Sequence, residues 1–149
     1  MESLALNTHT PTTQPTTEAL GIKMAHWAAE KKAINLRLYS VREHCSYADH
    51  VLICSGTSDR HVIAIADFLR EQSKKQEGVL PLGVEGVQQG QWALLDFGEV
   101  IAHVFYDPVR DYYELDRMWG HADQVEIEGV TVSADSLEKS LSDDDDDDE

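Results

Sequence analysis

The stretch from Gln91 to Tyr106 constrains the fold most, because it predicts a β-hairpin with a defined register. Two runs of strand-forming residues flank the dipeptide Gly98-Glu99, and glycine in the first central position suits a type II′ turn. With Phe97 opposite Val100, one face of the hairpin is wholly apolar and carries Ala93, Leu95, Phe97, Val100, Ala102 and Val104. We therefore expect this face to lie in a core around which the rest of the chain is arranged.

The opposite face of the hairpin mixes aromatic, aliphatic, acidic and imidazole groups, so folding alone does not explain it. The same register pairs Trp92 with Phe105, Leu94 with His103, and Asp96 with Ile101. These residues form a contiguous exposed apolar patch unless another element covers them. We predict that all six bind a protein partner. Two alternatives remain: a structural hydrogen bond between Asp96 and His103, or acid–base catalysis by this pair, for which the face offers no nucleophile.

The chain of 149 residues has room for one domain, and its composition separates that domain from two flanking segments. Residues 1–17 are rich in Thr and Pro and predict a disordered arm. Residues 129–149 predict a disordered tail, which ends in seven consecutive acids. The domain, residues 18–128, carries 18 acids and 11 bases. Phosphate binding depends on Lys and Arg, so this balance disfavours sequence-specific nucleic-acid binding and favours a basic protein surface.

Cysteine and histidine spacing predicts neither a metal site nor a disulfide framework. Cys45 and Cys54 belong to no CxxC pair, and the seven histidines form no HxH, HxxxH or HExxH arrangement. We therefore expect no metal and no cofactor. The sequence has neither an apolar run of about 20 residues nor the pattern of a secretion signal, so we expect a cytoplasmic protein without membrane contact.

Periodicity outside the hairpin predicts a single α/β (α+β mixed) domain, in which helices flank a mixed five-stranded sheet. A helix over residues 18–32 begins after Thr17 as its N-cap, and a second helix runs to about Gln76 and ends at Gly78. A third helix, with Asp107 as its N-cap, runs towards Trp119 and contributes Tyr112, Tyr113 and Trp119 as core aromatics. The strands outside the hairpin are predicted at residues 35–41, 50–54 and 80–86.

The loop Gly56-Thr57-Ser58 lies between a predicted buried strand and the second helix. Backbone N–H groups at such a helix N-terminus can hold a phosphate, but the loop lacks a Walker lysine and the GxGxxG pattern. Thr57 or Ser58 acting as a simple N-cap is the favoured interpretation of this loop. A phosphate- or nucleotide-handling transferase that uses this loop is therefore the alternative function.

Five ordered segments resemble the successive motifs of the ribosomal silencing factor family, also called Iojap-like. They are residues 47–58, 83–86, 92–100, 103–105 and 113–119, within residues 18–128. The resemblance implies a nucleotidyltransferase-like fold without catalysis. It also implies that the protein binds the large ribosomal subunit through large-subunit ribosomal protein fourteen, blocks association with the small subunit, and damps translation when nutrients are short. A homodimer of the free protein is compatible with the exposed hairpin face.

Overall fold

A six-stranded mixed sheet forms the centre of the computed structural model, which describes residues 9–127 and residue 129. The elements in chain order are α1 (His9–Glu30), β1 (Ile34–Ser40), β2 (His50–Gly56), α2 (Asp59–Gln72), a π-helical turn (Ser73–Glu77), β3 (Gly83–Glu85), β4 (Trp92–Asp96), β5 (Val100–Tyr106), α3 (Asp107–Tyr113), α4 (Leu115–Met118) and β6 (Asp123–Val125). The strands lie in the order β3-β4-β5-β2-β1-β6. β2 and β5 pair in parallel, and the other described ladders are antiparallel. The predicted mixed α/β class is confirmed.

The hairpin has the predicted register. β4 pairs with β5 from Trp92 opposite Phe105 to Asp96 opposite Ile101, and the N–H of Phe97 donates to the carbonyl of Val100 at 2.9 Å. Gly98 has φ +90°, a conformation that most other residues adopt only with strain. The apolar face lies in the main core, packed against residues of α1 and α2. The prediction that this face is core is confirmed.

β2 lies at the centre of the sheet and is buried along its whole length. Leu52 and Cys54 face the main core beneath α1 and α2, whereas Val51 and Ile53 face a second core on the other side of the sheet. The apolar run without alternation is therefore explained, because both faces of this strand are covered.

The sheet has six strands rather than the five that were predicted. The additional strand β6 pairs with the edge of β1, with Val125 opposite Leu38 and Asp123 opposite Ser40. Three residues are too few to show an alternating pattern, so the position of β6 depends on pairing across the sheet rather than on local sequence.

Helix α1 begins at His9, so the prediction that Thr17 caps it is wrong. A helix extends at small cost per residue once part of it is anchored, and Met24, Ala25 and Ala28 of α1 are completely buried. Pro11 falls in the first turn, where its missing N–H costs no helical hydrogen bond. The predicted disordered arm is thus helical from residue 9, whereas residues 1–8 and the predicted tail beyond residue 129 lie outside the described residues.

The second helix begins and ends as predicted. The hydroxyl of Ser58 accepts a hydrogen bond from the N–H of His61 at 3.1 Å, so Ser58 is the N-cap of α2. The helix continues through the π-helical turn to Gly78, which ends it with φ +67°.

The third predicted helix is two short helices, because the chain breaks at Glu114. Glu114 has φ +54°, and α3 begins after Tyr106 rather than after Asp107 as its N-cap. The break turns α4 back towards the sheet, so that the half-buried Asp116 forms an ion pair with the buried Arg110. We attribute the strained backbone at Glu114 to this contact.

Gly86 fixes the start of the hairpin. It has φ +77°, and a Cβ atom placed on it would lie 2.1 Å from the carbonyl oxygen of Trp92. Any residue other than glycine at position 86 would therefore clash with the backbone of Trp92.

Candidate protein-binding surface

The second face of the hairpin is only partly exposed. Phe105, Ile101 and His103 are buried, whereas Trp92, Leu94 and Asp96 are half-buried. The covering side chains come from α3, α4 and the segment that follows, and they include Val109, Leu115 and the buried Trp119. The hairpin face is therefore divided into a buried inner part and an accessible outer part along β4.

Trp92 is the centre of an aromatic cluster that reaches the surface. Its ring stacks on Phe105, with centroids 4.9 Å apart, and lies 4.6 Å from the ring of Tyr113. Tyr113 in turn meets Tyr112 edge-on at 5.1 Å. We call Trp92, Tyr112 and Tyr113 the aromatic surface.

The expectation that Tyr112 and Tyr113 are core aromatics is wrong, since they are 80% and 51% exposed, whereas Trp119 is buried as predicted. Helical geometry gives the reason. Arg110 faces the core, and a residue two positions further along a helix is rotated by roughly 200°, which directs Tyr112 to solvent.

His103 is a neutral hydrogen-bond acceptor. The indole Nε1–H of Trp92 donates to Nδ1 of His103 at 3.1 Å, and because an indole only donates, Nδ1 carries no proton. Burial lowers the pKa of His103 to about 4, against an opposing effect of the Asp116 charge. At neutral pH the imidazole is therefore uncharged and orients the ring of Trp92.

Asp96 does not form the hydrogen bond to His103 that was left open as an alternative. Its Oδ1 accepts a hydrogen bond from the N–H of Gly98 at 2.8 Å, within the hairpin turn. The described residues include no hydrogen bond between Asp96 and His103. The pair therefore lacks both the predicted structural bond and the contact that acid–base catalysis would use.

A buried arginine supports the surface from below. Arg110 is 1% exposed, and its guanidinium donates to both carboxylate oxygens of Asp116, at 2.8 and 3.0 Å. It also donates to the hydroxyl of Ser55 at 3.0 Å and to the carbonyl of Asn35, so it joins α3 to β2 and to the start of β1. Burial alone would raise the pKa of the Asp116 carboxyl, but the hydrogen bonds and charge of Arg110 lower it. Sequence reasoning missed this network, because no local pattern marks a buried Arg and Asp six residues apart.

The chain segment that carries the aromatic surface is acidic, although the charge of Arg37 in β1 also acts on Asp116 and Tyr39. Residues 83–127 contain nine acids and two bases, and both bases are already paired: Arg110 with Asp116, and Arg117 with Glu114. Asp111, next to Tyr112, is exposed. A basic partner is therefore electrostatically complementary to this side of the domain.

Thr57 and Ser58 of the loop Gly56-Thr57-Ser58 form hydrogen bonds with other residues of the chain. The N–H of Thr57 donates to Nδ1 of His61 at 2.8 Å, and Nε2 of His61 contacts the carbonyl of Lys31 at 2.7 Å. Ser58 is occupied as the N-cap of α2. This network leaves few free donors for a phosphate.

Over residues 9–127 no group of three or more metal-binding side chains comes together, and no helix there is long and apolar enough to cross a membrane.

Together, the fold and this surface define a small mixed α/β domain that presents exposed aromatic residues beside acidic ones. The family described as ribosomal silencing factor during starvation (RsfS) matches residues 14–149. The chain belongs to this family, as the resemblance predicted. The match extends beyond residues 18–128, to which the resemblance was assigned.

Curated relatives agree with this assignment. Ribosomal silencing factor RsfS of Halalkalibacterium halodurans is 40% identical over 101 residues, which cover 68% of this chain and 86% of that protein. The protein of the same name from Bacillus subtilis is 33% identical over 99 residues, or 66% of this chain and 83% of that protein. A crystal structure of a Bacillus halodurans protein superposes with a TM-score of 0.64 at 33% identity, covering 74% of this chain and 98% of the other. The family therefore points to a ribosome-associated regulatory factor.

Proposed function

We propose that the protein represses translation by binding the large ribosomal subunit at its joining face and excluding the small subunit sterically. In this proposal large-subunit ribosomal protein fourteen is the direct partner, the site of action is the cytoplasm, and repression operates when nutrients are short. Residues 18–128 form the binding domain, which the N-terminal arm and the acidic tail flank. No catalytic step is needed, because occupation of the joining face is sufficient.

The aromatic surface within acidic surroundings is the observation that carries this proposal. Exposed aromatic residues are enriched in the centres of protein interfaces, where a few of them supply most of the binding free energy. Residues 83–127, which carry this surface, have a net negative charge, and proteins that bind RNA are commonly basic. Complementary charge of this kind accelerates association and selects the partner.

The six hairpin residues divide into two roles in this proposal. Trp92, Leu94 and Asp96 contact the partner, because they are accessible along β4. Ile101, His103 and Phe105 hold Trp92 in place from beneath, since Phe105 stacks on its ring and His103 accepts its N–H. Tyr112 and Tyr113 extend the contact beyond the hairpin. The same surface is available for a homodimer of the free protein, which would compete with ribosome binding.

The alternative function, a phosphate- or nucleotide-handling transferase, rests on the loop Gly56-Thr57-Ser58. The hydrogen bonds of Thr57 and Ser58 within the chain weigh against it. Thermal unfolding with nucleotides and Mg²⁺ tests it directly, because a ligand at about 100 times its dissociation constant stabilises the folded state by about 2.7 kcal/mol.

Sedimentation with isolated ribosomal subunits tests the proposal. The protein should sediment with large subunits but not with small ones, and it should lower the yield of joined ribosomes when both subunits are mixed. Prior addition of small subunits should reduce its binding to large ones, since the two occupy the same face. Unchanged joining at a stoichiometric excess of protein would contradict the proposal.

A further inference from the structure

The edge strand β3 lies on the same face of the sheet as the aromatic surface. It pairs with β4, with Gly83 opposite Asp96 and Glu85 opposite Leu94. Directly opposed residues of an antiparallel ladder share a face, so Gly83 and Glu85 lie on the side of the sheet that also carries Trp92. Both are exposed, and β3 is the last described strand at this end of the sheet. The accessible part of the hairpin face therefore continues across β3 to the edge.

Within the described residues nothing requires glycine at position 83. Its φ lies outside the left-handed region, and a Cβ atom placed on it would meet no described atom within 4 Å. Gly86 is different, because its φ is +77° and the backbone of Trp92 fills the space of a Cβ atom. Glycine weakens a strand, and it often marks a place where a ligand or another backbone approaches closely. Close packing of a partner against β3 would account for Gly83.

Two carboxylates flank the gap that Gly83 leaves. Asp96 lies directly opposite, and Glu85 follows on the same strand, so the two acids are diagonal neighbours, at roughly 7 to 8 Å. The side chain of Glu85 forms no ion pair or hydrogen bond with the described residues. Asp96 uses Oδ1, which accepts the N–H of Gly98. This bond holds the Asp96 carboxylate in place, while its Oδ2 forms no hydrogen bond with the described residues.

The shape and the charge of this gap select a long basic side chain. The alkyl stem of such a side chain can lie over the bare backbone of Gly83 and beside the half-buried Leu94, while its charged end reaches both carboxylates. A guanidinium fits this arrangement best, because it presents several N–H donors in one plane and binds carboxylates through paired hydrogen bonds. A nucleic acid fits poorly, since its phosphates have the same sign of charge as the two acids.

We propose that β3 extends the partner-binding surface, and that an arginine side chain of the basic protein partner lies over Gly83, between Glu85 and Asp96. This inference rests on the proposed function, because it assigns a second contact to the same partner. The aromatic surface supplies apolar contact area, and β3 supplies a charged contact at the edge of the same face. Position 83 then determines specificity by its size, since any side chain there takes the space that the arginine needs.

Sedimentation of the full-length protein with isolated large ribosomal subunits, at several concentrations, gives the affinity that tests the proposal. Gly83→Leu should weaken binding about tenfold or more, because the new side chain fills the gap. Its free energy of unfolding should not fall, since the added atoms meet open space; urea unfolding checks this and gives the affinity per folded molecule. Ala64→Leu is the matched control: it places a leucine at an exposed position of α2, on the other side of the sheet, and should leave the affinity unchanged.

Glu85→Gln tests the charged contact. It should weaken binding, and the loss should shrink as the salt concentration rises, because an exposed ionic contact is screened. Glu71→Gln removes the same charge from an exposed position of α2, on the other side of the sheet, and should leave both the affinity and its dependence on salt unchanged.

Trp92→Ala, measured in the same assay, separates this inference from the proposed function. If the wild-type protein fails to bind large subunits, the proposed function is wrong and the inference falls with it. If the wild type binds and Trp92→Ala weakens the binding, while Gly83→Leu or Glu85→Gln binds like the wild type, the inference alone is wrong. An equal loss of affinity in Ala64→Leu or Glu71→Gln would also overturn it, because the loss would then not come from the gap at β3.

Discussion

Replacing Trp92 by alanine separates a partner-binding role of the hairpin from a purely structural one. The indole ring contacts Phe105 and Tyr113 and donates one hydrogen bond to His103. An aromatic pair contributes about 0.5 to 1.5 kcal/mol beyond the area it buries, and a neutral hydrogen bond contributes a similar amount. Because Trp92 is half-buried, we expect Trp92→Ala to lower the free energy of unfolding by about 2 to 3 kcal/mol.

Trp92→Ala should also weaken binding to the large subunit, in addition to this loss of stability. Truncation of a tryptophan at the centre of an interface commonly costs about 2 kcal/mol or more of binding free energy, which corresponds to roughly thirtyfold in affinity. This loss of affinity refers to those molecules of the Trp92→Ala variant that are folded. Urea unfolding gives the folded fraction of the variant, and sedimentation with large subunits gives its affinity under the same conditions.

Leu80→Ala is the control for this experiment. Leu80 is apolar and 61% exposed, but it lies in the segment after α2, beside Glu71 and Lys74. Its truncation should change neither stability nor binding appreciably. If Trp92→Ala lowers stability as expected while the affinity per folded molecule is unchanged, the partner does not bind the aromatic surface.

Three further predictions follow from the buried charges and from the acidic tail. Asp116→Ala should lower the free energy of unfolding by about 2 to 4 kcal/mol, because it leaves Arg110 buried without its carboxylate, while Asp116 itself is one-third exposed in the folded protein. Asp67→Ala, which removes an exposed ion pair, should change it by less than about 1 kcal/mol, and urea unfolding compares the two. The pKa of His103 is about 4 in the folded protein against an ordinary 6.5, so the unfolded chain binds more protons between these values. Its contribution to stability is complete above pH 6.5 and is lost as the pH falls towards 4, which amounts to about 2 kcal/mol between pH 7 and pH 5. His103→Gln should remove most of that fall, and an undiminished fall in this variant would show that another group causes it. Deletion of residues 142–149 should shift the melting temperature by less than about 2 °C, because a block of like charge repels itself; a drop of several degrees in calorimetry would show that the tail packs on the domain.

The hairpin could be predicted in detail because its information is local. Alternating residues define two faces, and Gly98 fixes the turn between them, so the register follows from adjacent sequence. The same holds for α2, whose N-cap Ser58 and terminal Gly78 lie within the segment itself. Features of this kind need no knowledge of the rest of the chain.

The candidate surface depends on contacts between different elements of the fold. The sequence therefore predicted its hairpin residues but not the exposure of Tyr112 and Tyr113. Nothing near Glu114 marks a break, since residues other than glycine rarely adopt the positive φ that Glu114 has. Tyr112 is exposed because Arg110, two residues earlier in α3, faces the core, and no local pattern indicates a buried arginine at that position. Pairing with β1 likewise creates β6 from three residues that show no strand pattern.

The close approach of Gly86 to the carbonyl of Trp92 has a consequence for how this surface can change in evolution. A single methyl group at position 86 would occupy the space of that carbonyl oxygen and push the first residue of β4 out of register with Phe105. Trp92 would then lose its ring stacking, although position 86 presents no side chain to any partner. The shape of the aromatic surface thus depends on the absence of a side chain at position 86, so selection on partner binding would also act on a glycine that presents no side chain to the partner.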